Sequence, residues 1–168
     1  MKERQHDNPA TPDEVTDRVW ELAAKIDICM LTTWNGEQQR SRPMSARPQR
    51  EANVFYFLTD ASGEKNAELE AFPTVSLAWA DTGSYRFAVV SGQGKVTNDR
   101  AKISELWSEM DKMWWEGKDD PTIRLLTVTP ERGEIWDSPG ALVSGAKMLM
   151  AAVTGGAPEL GDNAAVKM

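Results

Sequence analysis

The chain has 168 residues, 40% hydrophobic and 27% charged, which suits one domain around one core of ordinary size. With 19 Lys+Arg against 26 Asp+Glu its formal net charge is −7, which argues against nucleic acid, whose phosphates need a basic surface. A single cysteine, Cys29, rules out an intrachain disulfide, and a single histidine, His6, leaves no positioned imidazole for a Ser-His-Asp triad or a multi-histidine metal site.

Residues 1–10 read as a flexible, polar N-terminus containing His6, with no apolar h-region of a signal peptide. No apolar run approaches the ~18 residues that span a bilayer, so the expectation is a cytoplasmic protein without a membrane partner. "TPDEVTDRVWELAAKID" reads as a helix, with Thr11 as N-cap, Pro12 at the first position and Glu14 completing a capping box. "ICMLTTWNGEQQRSRPMSA" reads as a hairpin with Asn35-Gly36 at the centre of a type I′ turn, and Cys29 in its apolar half reads as a buried, inert thiol. "NVFYFLT" is a third strand, "SGEKNAELEAFP" a short helix capped by Ser62, and "TVSLAWA" a fourth strand. "RFAVVSGQGKVT" is a fifth strand whose Gly92 and Gly94 mark a bend or bulge. "NDRAKISELWSEMDKMWW" is a helix opened by Asn98 or Asp99. Strand returns over Ile123–Thr129, then a turn, then Gly133–Trp136, and "ALVSGAKMLMAAVTG" is a C-terminal helix. Residues 11–155 thus form one domain, and 156–168 a flexible tail. The order predicts an α+β fold: about six mainly antiparallel strands, Greek-key-like, in a small β-barrel with flanking helices.

Three stretches bear chemistry. Arg40–Arg50 packs four arginines into eleven residues of an acidic chain. Strand alternation puts Arg40, Arg42 and Met44 on one face, where two guanidinium forks suit one anion. Pro43 removes a ladder donor and marks an edge or bulge. A solvated edge whose arginines oppose aggregation satisfies the same pattern. In Leu58–Ala67 a strand end leads through a tight turn into a helix start, which offers free amides, the hydroxyls of Thr59 and Ser62 and the Lys65 ammonium to a phosphate. An ordinary capped helix with an exposed lysine reads the same way. Met113, Trp114 and Trp115 suit core packing, a subunit contact or a lid over a flat ligand. The surrounding carboxylates lack metal-loop spacing, and no Rossmann, Walker A or nucleophile-elbow motif occurs.

"ICMLTTWNGEQQRSRPMSAR", "NVFYFLTDASGEKNAELEAFPTVSLAW", "VVSGQGKVTNDRAKISELW" and the closing "LLTVTPERGEIWDSP", in this order, resemble the pyridoxamine 5′-phosphate oxidase-like FMN-binding split-barrel family, nearest its general stress protein 26 branch. The resemblance covers about residues 12–150. It implies a split β-barrel, a homodimer with flavin at the interface, and FMN, or FAD, as cofactor. In the oxidases a strand arginine and a lysine five residues later bind the phosphate; Arg42 and Arg47 resemble that pair. Leu58-Thr59 matches the family's Tyr-Thr, whose backbone faces the isoalloxazine ring. Ser62 and Lys65 match two members of a Ser-Arg-Lys turn whose arginine is replaced here by Glu64. Trp136 resembles a tryptophan near the flavin. The implied cofactor-binding set is therefore Arg40, Arg42, Pro43, Met44, Arg47, Leu58, Thr59, Ser62, Lys65 and Trp136. Two positions of opposite strand parity reach one phosphate only if the chain bends, at Pro43 or before Pro48. The segment after Trp136 has no Arg or His to hold pyridoxal phosphate, so oxidation of pyridoxamine phosphate is not expected. The resemblance leaves open a flavin-dependent oxidoreductase acting on a small molecule, a non-catalytic stress protein that sequesters flavin, a reductase using the deazaflavin F420, and a dimer that has lost its ligand. Haem fits poorly, for want of an axial ligand.

Overall fold

The computed structural model describes residues 11–137 and 162–168. The N-terminus with His6, the C-terminal helix expected over 141–155 and the first half of the expected tail lie outside the described residues. Helix α1 (Pro12–Ile26) begins as its sequence dictates. The Thr11 hydroxyl accepts from the Glu14 amide, the Glu14 carboxylate accepts from the Thr11 amide at 2.7 Å, and Pro12 opens the helix.

Strands β1 (Ile28–Trp34) and β2 (Gln39–Ser45) form the first hairpin, in register from Ile28–Ser45 to Trp34–Gln39. The turn differs from a type I′. Four residues connect the strands, Gly36 alone takes positive φ (99°), and the Asn35 side chain accepts from the amides of Glu37 and Gln38. The asparagine acts through its carboxamide rather than through left-handed backbone.

β2 does not end the path. After Ala46 the chain runs on as β3 (Arg47–Gln49), which pairs with β4 (Val54–Asp60) instead of β1. Helix α2 (Glu64–Ala71), β5 (Thr74–Asp81), β6 (Arg86–Thr97), α3 (Arg100–Leu106) and β7 (Ile123–Asp137) follow. The strand order is β2-β1-β5-β6-β7-β4-β3, antiparallel throughout. Because β2 and β3 are one stretch bent at Ala46, the sheet curls back on itself: this is a split barrel, with eight strands among the described residues rather than six. The eighth is β8 (Asp162–Lys167), which pairs with β7 where a frayed tail was expected. β4 covers β7 only as far as Val128, and β8 takes up the same edge from Arg132.

Two further expectations change. The turn expected between Thr129 and Gly133 is a bulge within continuous β7: Ser91 pairs with Arg132 and Gly92 with Pro130. A Cβ on Gly92 would lie 2.2 Å from the Thr129 carbonyl oxygen, so only glycine fits this close approach. The long helix expected from Asn98 stops at Leu106, and Ser108 caps a short 3₁₀ turn over Glu109–Met113.

The main core lies between α1 and the barrel, where Trp20 stacks on Phe55 at 4.2 Å and Phe55 tilts against Trp79 at 5.4 Å. Each such buried large side chain contributes roughly 1.5–3 kcal/mol. Cys29 belongs to this core, and burial pushes its thiol up to about 12, as an inert thiol requires. A second cluster of Leu58, Ile103, Ile123 and Leu125 sits under α3, with Trp107 and Trp115 packed against it.

Candidate functional site

Alternation along β2 puts Arg40 and Arg42 on one face, and both reach the same carboxylate. Glu68, 7% exposed, accepts from Arg40 Nη1 at 3.3 Å, from Arg42 Nη2 at 3.1 Å and from the Thr33 hydroxyl at 2.5 Å. Burial pushes the Glu68 carboxyl up, but the Thr33 hydroxyl and the two guanidinium groups outweigh it and hold the carboxyl below its ordinary value. Arg40 also pairs with Glu64, the residue standing where the oxidases have arginine. Arg42 donates its other terminal nitrogen to Thr33 at 2.8 Å. Each terminal nitrogen of Arg42 thus gives up one N–H and keeps one.

The bend at Ala46 settles the parity problem of Arg42 and Arg47. Ala46 is buried and donates its amide to the Asp27 carbonyl. Past it, Arg47 turns into the cavity that Arg42 already lines. That cavity, of about 380 Å³, also takes Pro43, Met44, Leu58, Thr59 and Lys65. Seven of the ten residues singled out from the sequence therefore line one pocket. Its volume lies within the ~300–1,000 Å³ usual for small-molecule sites.

The other three stand elsewhere. Arg40 is held by Glu64 and Glu68 and does not line the cavity. Ser62 does not cap α2, whose N-cap is Gly63; its amide and hydroxyl donate to Asp60 at 2.8 and 2.5 Å. Trp136 pairs with Phe87 at the far end of β7 from Ile123, the residue beside Asp60.

Sequence reasoning missed the carboxylates. Glu68 shares an α2 face with Lys65 and Glu64, a helical spacing that was legible. Asp111 lies three residues after Ser108, as in a capping box; it is 4% exposed and pairs with Arg47 at 2.5 Å. Trp114, Trp115, Asp60, Ser45 and Ile28 also line the cavity.

Lys65 is the cavity cation with no carboxylate within 4.0 Å among the described residues. Burial, and then the nearby Arg42 charge, lower its ammonium below the ordinary value. The Thr59 hydroxyl, in the cavity wall and 2% exposed, has no hydrogen-bond partner among the described residues. The Asp60 carboxyl is held low, chiefly by the Ser62 hydroxyl and amide. An unpaired cation, free guanidinium N–H groups and an orphaned hydroxyl beside apolar Leu58, Met44 and Trp115 fit a flat ring carrying a phosphate. A larger cleft of about 710 Å³ on the other side of α2 has no aromatic wall and none of the ten residues. Among the described residues no group of three His, Cys, Asp or Glu is placed to hold a metal, and no helix is long and apolar enough to cross a membrane.

A family model described as pyridoxamine 5′-phosphate oxidase like matches residues 14–159. General stress protein 26 of Bacillus subtilis (strain 168) is 29% identical over 81 residues, 46% of this chain, and the match spans 58% of that relative's length. The structure of a general stress protein 26 from Jannaschia sp. CCS1 superposes with a TM-score of 0.76 at 25% identity, over 94% of this chain and 100% of the other. The general stress FMN/FAD binding protein from Xanthomonas citri superposes with a TM-score of 0.66 at 27% identity, over 74% of this chain and 89% of its own.

Proposed function

Since the chain belongs to the pyridoxamine 5′-phosphate oxidase-like family, we propose that it is a flavin-binding stress protein that takes FMN, or FAD, in the 380 Å³ cavity and performs flavin-dependent redox chemistry on a small molecule. One observation carries this reading. Arg42, Arg47 and Lys65 converge on a cavity that also holds the orphaned Thr59 hydroxyl and an apolar wall. Lys65 and the spare N–H groups of Arg42 would hold the phosphate, and Leu58, Met44 and Trp115 would flank the ring. The flavin, when bound, supplies the electron transfer; the protein supplies position and electrostatics. That the Xanthomonas citri relative is described as FMN/FAD binding supports the same ligand.

A second copy of the chain is proposed to close the rim, where Ile28 and Trp114 are 49% and 64% exposed, and to cover Met110 and Met113 of the adjoining 3₁₀ turn, 67% and 69% exposed. Sedimentation velocity reads the dimer.

Titration with FMN, followed by tryptophan fluorescence, tests the ligand. Quenching at micromolar FMN supports the reading, and none at tens of micromolar removes it. A second reading, flavin storage without turnover, has one observation in its favour. Asp60 and Asp111, the carboxylates lining the cavity among the described residues, are both already hydrogen-bonded, so neither is a free base toward the ring. Steady-state oxidation of NADH or NADPH with an electron acceptor separates the two.

A further inference from the structure

We infer that Arg47 and Asp111 form a latch that seats Trp114 and Trp115 as a wall of the flavin pocket, and that the phosphate falls to Lys65 and Arg42. This rests on the flavin reading above and gives Arg47 a role different from the one the family pattern implies.

After α3 ends at Leu106, the chain crosses the pocket mouth without regular helix. Arg47 ties it at two points. Its Nε donates to the Leu106 carbonyl at 3.3 Å, and its Nη2 to the Asp111 carboxylate at 2.5 Å. Neither side chain is open to water: Arg47 is 16% exposed and Asp111 6%. The other oxygen of Asp111 accepts from the Ser108 amide and hydroxyl at 2.8 and 3.0 Å. The Asp111 carbonyl accepts from the amides of Trp114 and Trp115 at 3.0 and 3.1 Å. Asp111 therefore relays the guanidinium on β3 to both tryptophans.

A phosphate that took Arg47 would have to displace Asp111. That leaves a buried carboxylate without its cation and releases the tryptophans from the pocket. Stripping a buried charge of its partner is among the most destabilising changes a fold can suffer. Lys65 has no such commitment among the described residues, so an ion reaching it displaces none of their carboxylates. Arg47 and Asp111 are thus a positioning pair for the aromatic wall, whose faces suit a flat ring.

The test compares Arg47→Ala, Asp111→Asn, Ser108→Ala and Lys65→Ala in the full chain. Without ligand, trypsin cleavage after Lys112 and Lys118, identified by mass, is expected to run at least ~tenfold faster in Arg47→Ala and Asp111→Asn. Ser108→Ala, the milder change should the others fail to fold, gives a smaller increase, and Lys65→Ala none. With FMN and riboflavin as probes, Arg47→Ala and Asp111→Asn are expected to weaken both ligands by the same factor, roughly tenfold, whereas Lys65→Ala weakens FMN alone. A loss of FMN with riboflavin unchanged in Arg47→Ala makes Arg47 a phosphate ligand and overturns the inference. Unchanged cleavage at Lys112 and Lys118 overturns it equally. If the wild-type chain binds neither flavin, the phosphate assignment falls with the flavin reading, while the cleavage rates still decide the latch.

Discussion

Arg42 and Arg47 line one cavity although five positions separate them, because the chain bends at Ala46 and changes partner strand there. On a regular strand they would face opposite sides. The same bend closes the split barrel, so one local feature sets both the architecture and the site. Each guanidinium rests on its own buried carboxylate, Arg42 on Glu68 and Arg47 on Asp111. That leaves Lys65 as the uncommitted charge.

Glu68 tunes Arg42. Glu68→Gln should lower stability by roughly 1–3 kcal/mol, since it replaces charge-assisted hydrogen bonds by neutral ones. It should also tighten FMN severalfold by freeing the Arg42 guanidinium. Urea unfolding and FMN titration read the two effects. Unchanged or weaker FMN binding would show that Glu68 does not compete for Arg42. Because the folded-state value of Glu68 is lowered, its stabilising contribution is present above the ordinary 4.5 and is lost as pH falls through the folded value.

Lys65 has the same sign in a window at higher pH. Burial first, and Arg42 second, lower its value below 10.5. Between the lowered value and 10.5 the unfolded chain holds a proton there that the folded chain has released, so across that window stability rises with pH. FMN binding, which needs the ammonium, should weaken as pH rises through the lowered value, with riboflavin unaffected. Log Kd against pH for both ligands gives the profile, and Lys65→Arg should flatten it for FMN. An FMN profile that stays flat up to 10.5 would mean that the ammonium takes no part.

Gly92 tests the bulge. Gly92→Ala drives a Cβ to 2.2 Å from the Thr129 carbonyl oxygen and should cost about 2–3 kcal/mol. That corresponds to a fall in melting temperature of several degrees for a chain of this size. A melting temperature within a degree of wild type would show that β7 can flex away from β6.

Local sequence signals carried the elements, and they failed where tertiary partners decide. The α1 capping box was readable because all its members lie within four residues. The break after Leu106 was not, because the group that holds the following turn is Arg47, 64 positions before Asp111. Seven of the ten site residues meet in one cavity because they sit on consecutive elements, β2 to α2, joined by short connections. Trp136 fell outside because β7 carries it away from Ile123 through a bulge that read as a turn. β8 was invisible for another reason: "DNAAVK" has little strand character of its own and pairs on the stretch of β7 edge that β4 leaves open.

The most direct test of the flavin pocket is the ratio of riboflavin to FMN dissociation constants, measured by tryptophan quenching in wild type and in Lys65→Ala. One charge-assisted hydrogen bond contributes about 1.5–3 kcal/mol, so wild type should prefer FMN roughly ten- to a hundredfold, and Lys65→Ala should lose most of that preference. Equal affinity for the two flavins in wild type, or a preference that survives in Lys65→Ala, would contradict the account.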